Sequence, residues 1–215
     1  DVRPGSDGLV MLPYLLADLQ AGRLSQEQAQ ELLESLWLKF NEIVLLRSSS
    51  SARYFAGFPI GFNIAIGGQL SDGSDATNLL TYMCLHAQTD IGLTQPNLSV
   101  RVHAGTPQEL LEAAAFVISK GSGMPQIFND EVIVPGQVNR GLPLAEARNY
   151  AVVGCVELST PGKALGWSDA SMFNLTRVLE LTLYGGKDPH SGEQIGLATP
   201  PLDQMASFAE LEAAY

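Results

Sequence analysis

Leu98-Ser99-Val100-Arg101-Val102, then Thr106-Pro107-Gln108-Glu109 running into Leu110-Leu111-Glu112-Ala113-Ala114, then Gln126-Ile127-Phe128: the reading of this run decides the fold class. The first segment is short and largely apolar, as expected of a strand buried on both faces. Thr106 reads as a helix N-cap, with Pro107 at the first helical position and Glu109 closing a capping box. The helix that follows carries Leu110, Leu111, Ala114, Phe116 and Val117, and Gly121 fits its C-terminal stop. Gln126-Ile127-Phe128 is the next strand. Strand, helix, strand implies a right-handed βαβ crossover and a parallel sheet covered by helices.

The same grammar extends in both directions. Upstream, residues 60–66 are short and apolar and close on Gly67-Gly68. Residues 75–91 have helical spacing, with Leu79, Leu80, Met83, His86 and Ala87 on related faces. Downstream, residues 144–149 form a short helix, Ala151-Val152-Val153 a fourth strand, and Ser168 opens a long helix that ends at Gly185-Gly186. The first fifty residues are helical. Leu12, Leu15, Leu16 and Leu19 recur until Gly22, and Ser25 with Gln28 forms a capping box. The second helix places Leu32, Leu33, Leu36 and Phe40 on one stripe, and Ser48 to Ser51 is a polar loop. The expected organisation is a single partial domain over 1–215, mostly helical in 1–50, with strand–helix repeats in 57–185. An open doubly wound sheet and a segment of a closed barrel both fit this order.

Composition narrows the function classes. Twelve Lys+Arg against 23 Asp+Glu give a net charge of −11, and no basic stripe is present to neutralise phosphates, which argues against a nucleic-acid partner. No apolar run reaches the ~18–20 residues that span a bilayer. Two cysteines, Cys84 and Cys155, make no disulfide framework, so a reducing, cytoplasmic setting is expected. Three scattered histidines give no metal-ligand spacing, and no metal is expected. Gly61 to Gly68 lacks the Lys-Ser/Thr of a phosphate loop. The chain opens at Asp1 without an initiator Met and is expected to be an internal piece of a longer protein.

In parallel α/β architectures reactive groups gather at the carboxyl ends of strands. Those ends are Gly67-Gly68-Gln69, Arg101-Val102-His103, Asn129-Asp130-Glu131 and Gly154-Cys155-Val156-Glu157. The last is the most informative. If its backbone stays extended, the Cys155 thiol and Glu157 carboxylate face one cavity. A neighbouring carboxylate raises the cost of a thiolate, which favours a thiol that exchanges hydrogen atoms over one that attacks as an anion. The plainer alternative is a core cysteine beside a solvated acid. His103 either faces substrate or serves the structure, and Asn63 and Gln69 are candidate polar pocket residues. His86 reads as a core histidine, His190 as solvated, and Asp130/Glu131 as a helix cap.

The stretch Val152-Val153-Gly154-Cys155-Val156-Glu157, continuing through Gly162-Lys163 to Gly166-Trp167-Ser168-Asp169-Ala170 and Phe173-Asn174-Leu175, resembles the glycyl radical enzymes. It is most similar to their dehydratase and lyase branch, which includes glycerol dehydratase and choline trimethylamine-lyase. Gln95-Pro96-Asn97-Leu98-Ser99-Val100-Arg101 is similar to a strand of that superfamily, which also holds pyruvate formate-lyase.

The resemblance implies a ten-stranded α/β barrel with the cysteine on a loop inside it. It implies that Cys155 becomes a thiyl radical, that Glu157 is the general base and that Asp169 binds a substrate hydroxyl. The implied cofactor is a glycyl radical on a C-terminal segment outside this chain, installed by a radical S-adenosylmethionine activating enzyme. The implied host is anaerobic or facultative, and the full-length protein a homodimer. Three departures matter. Gly154 stands where pyruvate formate-lyase has a second cysteine, which disfavours formate C-acetyltransferase chemistry. Leu158-Ser159 and Ser168 replace residues of the glycerol and choline enzymes, which points to another small hydroxylated substrate. The Arg–apolar–small–Gly–aromatic radical motif is missing, so the chain by itself is expected to be inert. A non-catalytic α/β binding module is the alternative from outside enzymology.

Overall fold

In the computed structural model, residues 11–43, 48–55, 61–164 and 173–215 are described. They fall into two compact units, residues 1–168 and 169–215, each described by itself.

The first unit begins with helices α1 (Met11–Gln20), α2 (Gln26–Glu42) and α3 (Ser49–Phe55). Gly22, at φ +64°, ends the turn after α1 in the left-handed region that glycine enters without steric cost. The α2 capping box forms as expected: Gln28 N–H donates to Ser25 Oγ, and Ser25 N–H to the Gln28 side chain. Ala29, Leu33 and Trp37 are its buried stripe, with Leu36 and Phe40 packed at the margin, whereas Leu32 is exposed. Ser49 to Ser51, expected in a loop, lie in α3.

Strands β1 (Asn63–Gly67), β2 (Asn97–Val102) and β3 (Gln126–Asn129) form a parallel sheet in that order, with β2 central. Helix α4 (Leu79–Ile91) crosses from β1 to β2 and α5 (Gln108–Ser119) from β2 to β3. Ile64, Ile66, Leu98 and Val100 pack with Leu80, Met83 and Ala87 of α4 and Leu110, Ala114 and Val117 of α5. Each fully buried Leu, Ile, Val or Met among them stabilises the fold by roughly 1.5–3 kcal/mol. Alternation along β2 sends Asn97, Ser99 and Arg101 to the other face, and that face is buried too. The continuous run read from the sequence is therefore apolar on one side and buried polar on the other.

Two boundaries shift. Asn78, whose Oδ1 accepts from Leu80 N–H, starts α4 three residues after the expected Asp75. Helix α5 has no side-chain cap, because Thr106 Oγ instead accepts from His103 N–H at 2.8 Å.

After β3 come α6 (Asp130–Asn139), α7 (Leu144–Ala147), β4 (Ala151–Val153) and β5 (Glu157–Ser159). The fourth strand is not a further parallel strand of the sheet. It pairs antiparallel with β5, Val153 opposite Glu157. A buried cluster ties the segments together: Arg101 donates to both Asp130 oxygens (3.0 and 2.7 Å) and to the Tyr150 carbonyl (3.1 Å), and Tyr150 O–H donates to Asp130 at 2.7 Å. The guanidinium also lies 3.9 Å from the Tyr150 ring centroid.

The second unit holds α8 (Leu175–Leu183), a single 3-10 turn (Leu202–Gln204) and α9 (Phe208–Ala214). Asn174 caps α8 by accepting from Arg177 N–H, so that Phe173 precedes the helix; the expected start at Ser168 lies outside the described residues. Arg177 pairs with Glu180 and with Asp188, the latter at 2.9 Å. Gly186 is required here: a Cβ on it would stand 2.1 Å from the Leu197 carbonyl.

Candidate active site

Strand β4 delivers the chain to the turn Gly154-Cys155-Val156, and β5 takes it back. Gly154 sits at φ +60°, and a Cβ there would stand 3.0 Å from Glu157 Oε2, so this corner admits only glycine without strain. Cys155 is exposed, as is Val156. Cys84, by contrast, is buried in the core against α4's neighbours, and burial pushes its thiol up to about 12. Of the two cysteines, Cys155 is the accessible one.

The Glu157 carboxylate folds back over the turn. Its Oε2 accepts from Val156 N–H at 3.0 Å. That bond is the largest of the contributions, joined by the N–H groups of Glu157 itself and of Cys155, that hold the carboxyl below its ordinary value of 4.5. An ionised acid, at the first residue of β5, thus folds back on the three-residue turn that carries an exposed thiol. The pair meets through a left-handed corner at Gly154 and not along the extended backbone expected from the spacing.

The turn is seated on the first residues of β1 and β2. The Gly154 carbonyl accepts from Asn97 Nδ2 at 3.0 Å and from Asn63 Nδ2 at 3.3 Å. Asn63 Oδ1 in turn accepts from Ser99 Oγ at 3.0 Å, so both polar ends of Asn63 are engaged within the chain. Gln95 Oε1 accepts from the Gly61 and Phe62 amides, fixing the approach to β1. A cleft of about 140 Å³ lies behind the turn, walled by Phe40, Phe62, Ile64 and Val152 with Asn63 at its edge.

This arrangement places the cysteine turn at the amino ends of the parallel strands. His103 follows the carboxyl end of β2, roughly 20 Å along the strand from Asn97 at about 3.3 Å per residue. There its Nδ1 accepts from Gly105 N–H and its Nε2 donates to Asp75 at 3.0 Å. The structure therefore brings Cys155, Glu157 and Asn63 together and leaves His103 apart from them. Asp169 lies outside the described residues. Gln69 is bridged to Asp75 beyond β1.

His86 is exposed rather than core, since its position on α4 points away from the sheet. His190 is exposed as expected. Asp130, read as a helix cap, is the buried partner of Arg101, and the cap of α6 is Asn129. Asn97 escaped the sequence reading; the signal was the polar alternation 97, 99, 101 inside an otherwise apolar strand. Among the described residues no cluster of three or more His, Cys, Asp or Glu is placed to hold a metal, and no helix is long and apolar enough to cross a membrane.

A family model described as pyruvate formate lyase-like matches residues 4–215. The chain is 37% identical over 205 residues to (2S)-3-sulfopropanediol dehydratase of Klebsiella oxytoca, covering 94% of this chain and 25% of that protein. Among solved structures it superposes with a TM-score of 0.90 and 43% identity on one described for 1,2-propanediol dehydration in Roseburia inulinivorans, over 95% of this chain and 26% of that one. The glycerol-bound B12-independent glycerol dehydratase of Clostridium butyricum superposes at 0.85 with 45% identity, over 89% and 24%. The chain spans about a quarter of the length of the relatives it matches.

Proposed function

The chain belongs to the pyruvate formate lyase-like family and forms part of a glycyl radical enzyme barrel, and on that premise we propose that its parent protein is a glycyl radical lyase or dehydratase acting on a small hydroxylated compound. The observation that carries this reading is the exposed Cys155 thiol and the ionised Glu157 carboxylate on one turn. A glycyl radical on another segment of the parent, installed by a radical S-adenosylmethionine activating enzyme, supplies the hydrogen-atom acceptor that turns this thiol into a radical. The exposure of Cys155 fits such a partner.

Sulfur then takes a hydrogen atom from the substrate carbon that bears a hydroxyl: an S–H bond forms and a C–H bond breaks. Glu157 accepts the proton of that hydroxyl, for which it must be anionic. The oxygen's electrons form a carbonyl, and the group on the adjacent carbon departs with its bonding pair. The carbon radical left beside the carbonyl takes the hydrogen atom back from Cys155, restoring the sulfur radical. Atoms and electrons balance without an external oxidant.

Acyl transfer between paired cysteines is disfavoured locally. A second cysteine at position 154 would need left-handed backbone and would crowd Glu157 Oε2 at 3.0 Å. Leu158 packs beside Tyr150 and Val152, and buried Ser159 donates to the Ala164 carbonyl. Both side chains therefore serve the packing of β5, and a substrate other than glycerol or choline rests on the departure of the sequence at these positions alone.

The test is Cys155→Ser in the anaerobically activated parent protein, assayed against a panel of 1,2-diols and hydroxysulfonates. The expected result is an undiminished glycyl radical signal with turnover abolished. Turnover at the level of the unsubstituted protein overturns the reading.

A further inference from the structure

Given the thiyl chemistry proposed above, on which this rests, we propose that Asn97, seconded by Asn63, is a positioning residue for Cys155. The two side-chain amides grip the Gly154–Cys155 peptide by its carbonyl, so that the turn is fixed and the thiol is held at one orientation to the carboxylate that Val156 N–H engages.

Four observations support it. Cys155 and Val156 are exposed, so the turn has little packing of its own to fix it. Asn97 is 6% exposed and sits at the first residue of β2; the two amides reach Gly154 O at 3.0 and 3.3 Å. Neither amide is free to swing. Asn63 Oδ1 is held by Ser99 Oγ at 3.0 Å, and Asn97 Oδ1 is approached by Gln95 Nε2 at 3.4 Å. Finally, a trans peptide directs its C=O and N–H in opposite directions. Two donors on the oxygen side therefore fix the plane of this peptide and the direction of its nitrogen side, one residue before the Val156 N–H that Glu157 Oε2 accepts at 3.0 Å.

The energetics run through the same peptide. Donors on the carbonyl oxygen fix the plane of this peptide and with it the turn whose next N–H, that of Val156, Glu157 Oε2 accepts. Losing them frees the peptide plane to rotate, and a rotated plane presents the Gly154 carbonyl to Glu157, lone pair against anion. The carboxylate then loses a donor, and the sulfur is displaced from the carbon it must reach. An ångström of misplacement in a reacting group costs on the order of 10²-fold in rate.

The experiment uses the activated full-length parent protein and whichever diol or hydroxysulfonate the unsubstituted enzyme converts fastest. Asn97→Leu is nearly isosteric and adds no charge, so a shifted pH profile cannot come from a new carboxylate. The expected result is a normal glycyl radical signal, a KM within about twofold and a kcat lowered roughly tenfold to a hundredfold. The acid limb of the kcat profile moves to higher pH as Glu157 loses support. Asn63→Ser, whose hydroxyl is too short to reach the Gly154 carbonyl, is read the same way and keeps the test open if Asn97→Leu fails to fold.

An unchanged kcat and acid limb in a folded variant overturns the proposal, as does a lowered kcat with an unmoved acid limb, which assigns the asparagines a structural role only. In both outcomes an inactive Cys155→Ser leaves the radical reading standing. An active Cys155→Ser removes that reading itself.

Discussion

Gly154 shows how one missing methyl group sets the chemistry of its neighbours. Because the corner is left-handed, β4 reverses within three residues and Glu157 curls onto the amides beside Cys155. Gly154→Ala is expected to cost about 1–2 kcal/mol in backbone strain and, since the added Cβ meets the mobile end of Glu157, to push the base off the turn. Its check is a lowered kcat with a retained radical signal.

Glu157→Gln keeps the shape and removes the proposed base, and turnover should fall by about 10²–10⁴, measured as kcat with substrate affinity preserved. The sign of the pH dependence follows from the lowered carboxyl. The base works when ionised, so the loss of activity due to Glu157 should fall below pH 4.5, not above it. Its stabilising bonds to the turn are likewise complete above 4.5 and lost as pH falls through the depressed value. Cys84 supplies the contrast. Cys84→Ala removes a buried sulfur remote from the turn, and should lower stability by about 1–3 kcal/mol while leaving turnover intact, as read by denaturant unfolding and by kcat.

At the scale of elements, the Arg101–Asp130–Tyr150 cluster joins the end of β2, the start of α6 and the entry to β4. Both charged side chains are essentially inaccessible, 0% and 1% exposed, so neither tolerates the loss of its partner. Asp130→Ala is expected to destabilise by about 3–5 kcal/mol, because it strands a buried guanidinium. Tyr150→Phe removes one donor and should cost about 1–3 kcal/mol. Denaturant unfolding of the parent protein measures both. What was legible in the sequence, and what was not, divides along the same line. Apolar runs and local caps announce themselves: β2, β3 and the Ser25 box stand where the pattern puts them, and β1 begins at Asn63, inside the run read over 60–66, and takes in Gly67. Long-range polar pairing does not. Asp130 beside Glu131 looks like a cap until Arg101, 29 residues away, closes on it. The three-residue return strand β5 is too short to carry any period, so β4 looked like one more parallel strand. Thr106 was claimed by His103 N–H before it could cap α5.

For the whole molecule, a parallel sheet of three strands with helices over one face leaves the buried polar face of β2 and the cysteine turn as the chemically informative part. Family membership was readable from Gly154-Cys155-Val156-Glu157 and its continuation. The seat of the turn was not, because the Gly154 carbonyl is held by Asn63 and Asn97, which lie 92 and 58 residues upstream of Cys155. The 215 residues contain no Arg–apolar–small–Gly–aromatic motif. Expressed alone with the activating enzyme, they are expected to show no radical signal and no diol turnover, and the proposed parent protein is expected to show both.

The most direct measurement is a crystal structure of the parent protein with its substrate bound. The expected structure has Cys155 Sγ within about 3–3.5 Å of the hydroxyl-bearing carbon, and a Glu157 oxygen at roughly 2.6–3.2 Å from that carbon's hydroxyl. A substrate seated with Glu157 directed away from it, or with Cys155 out of reach of its carbon, would contradict the account.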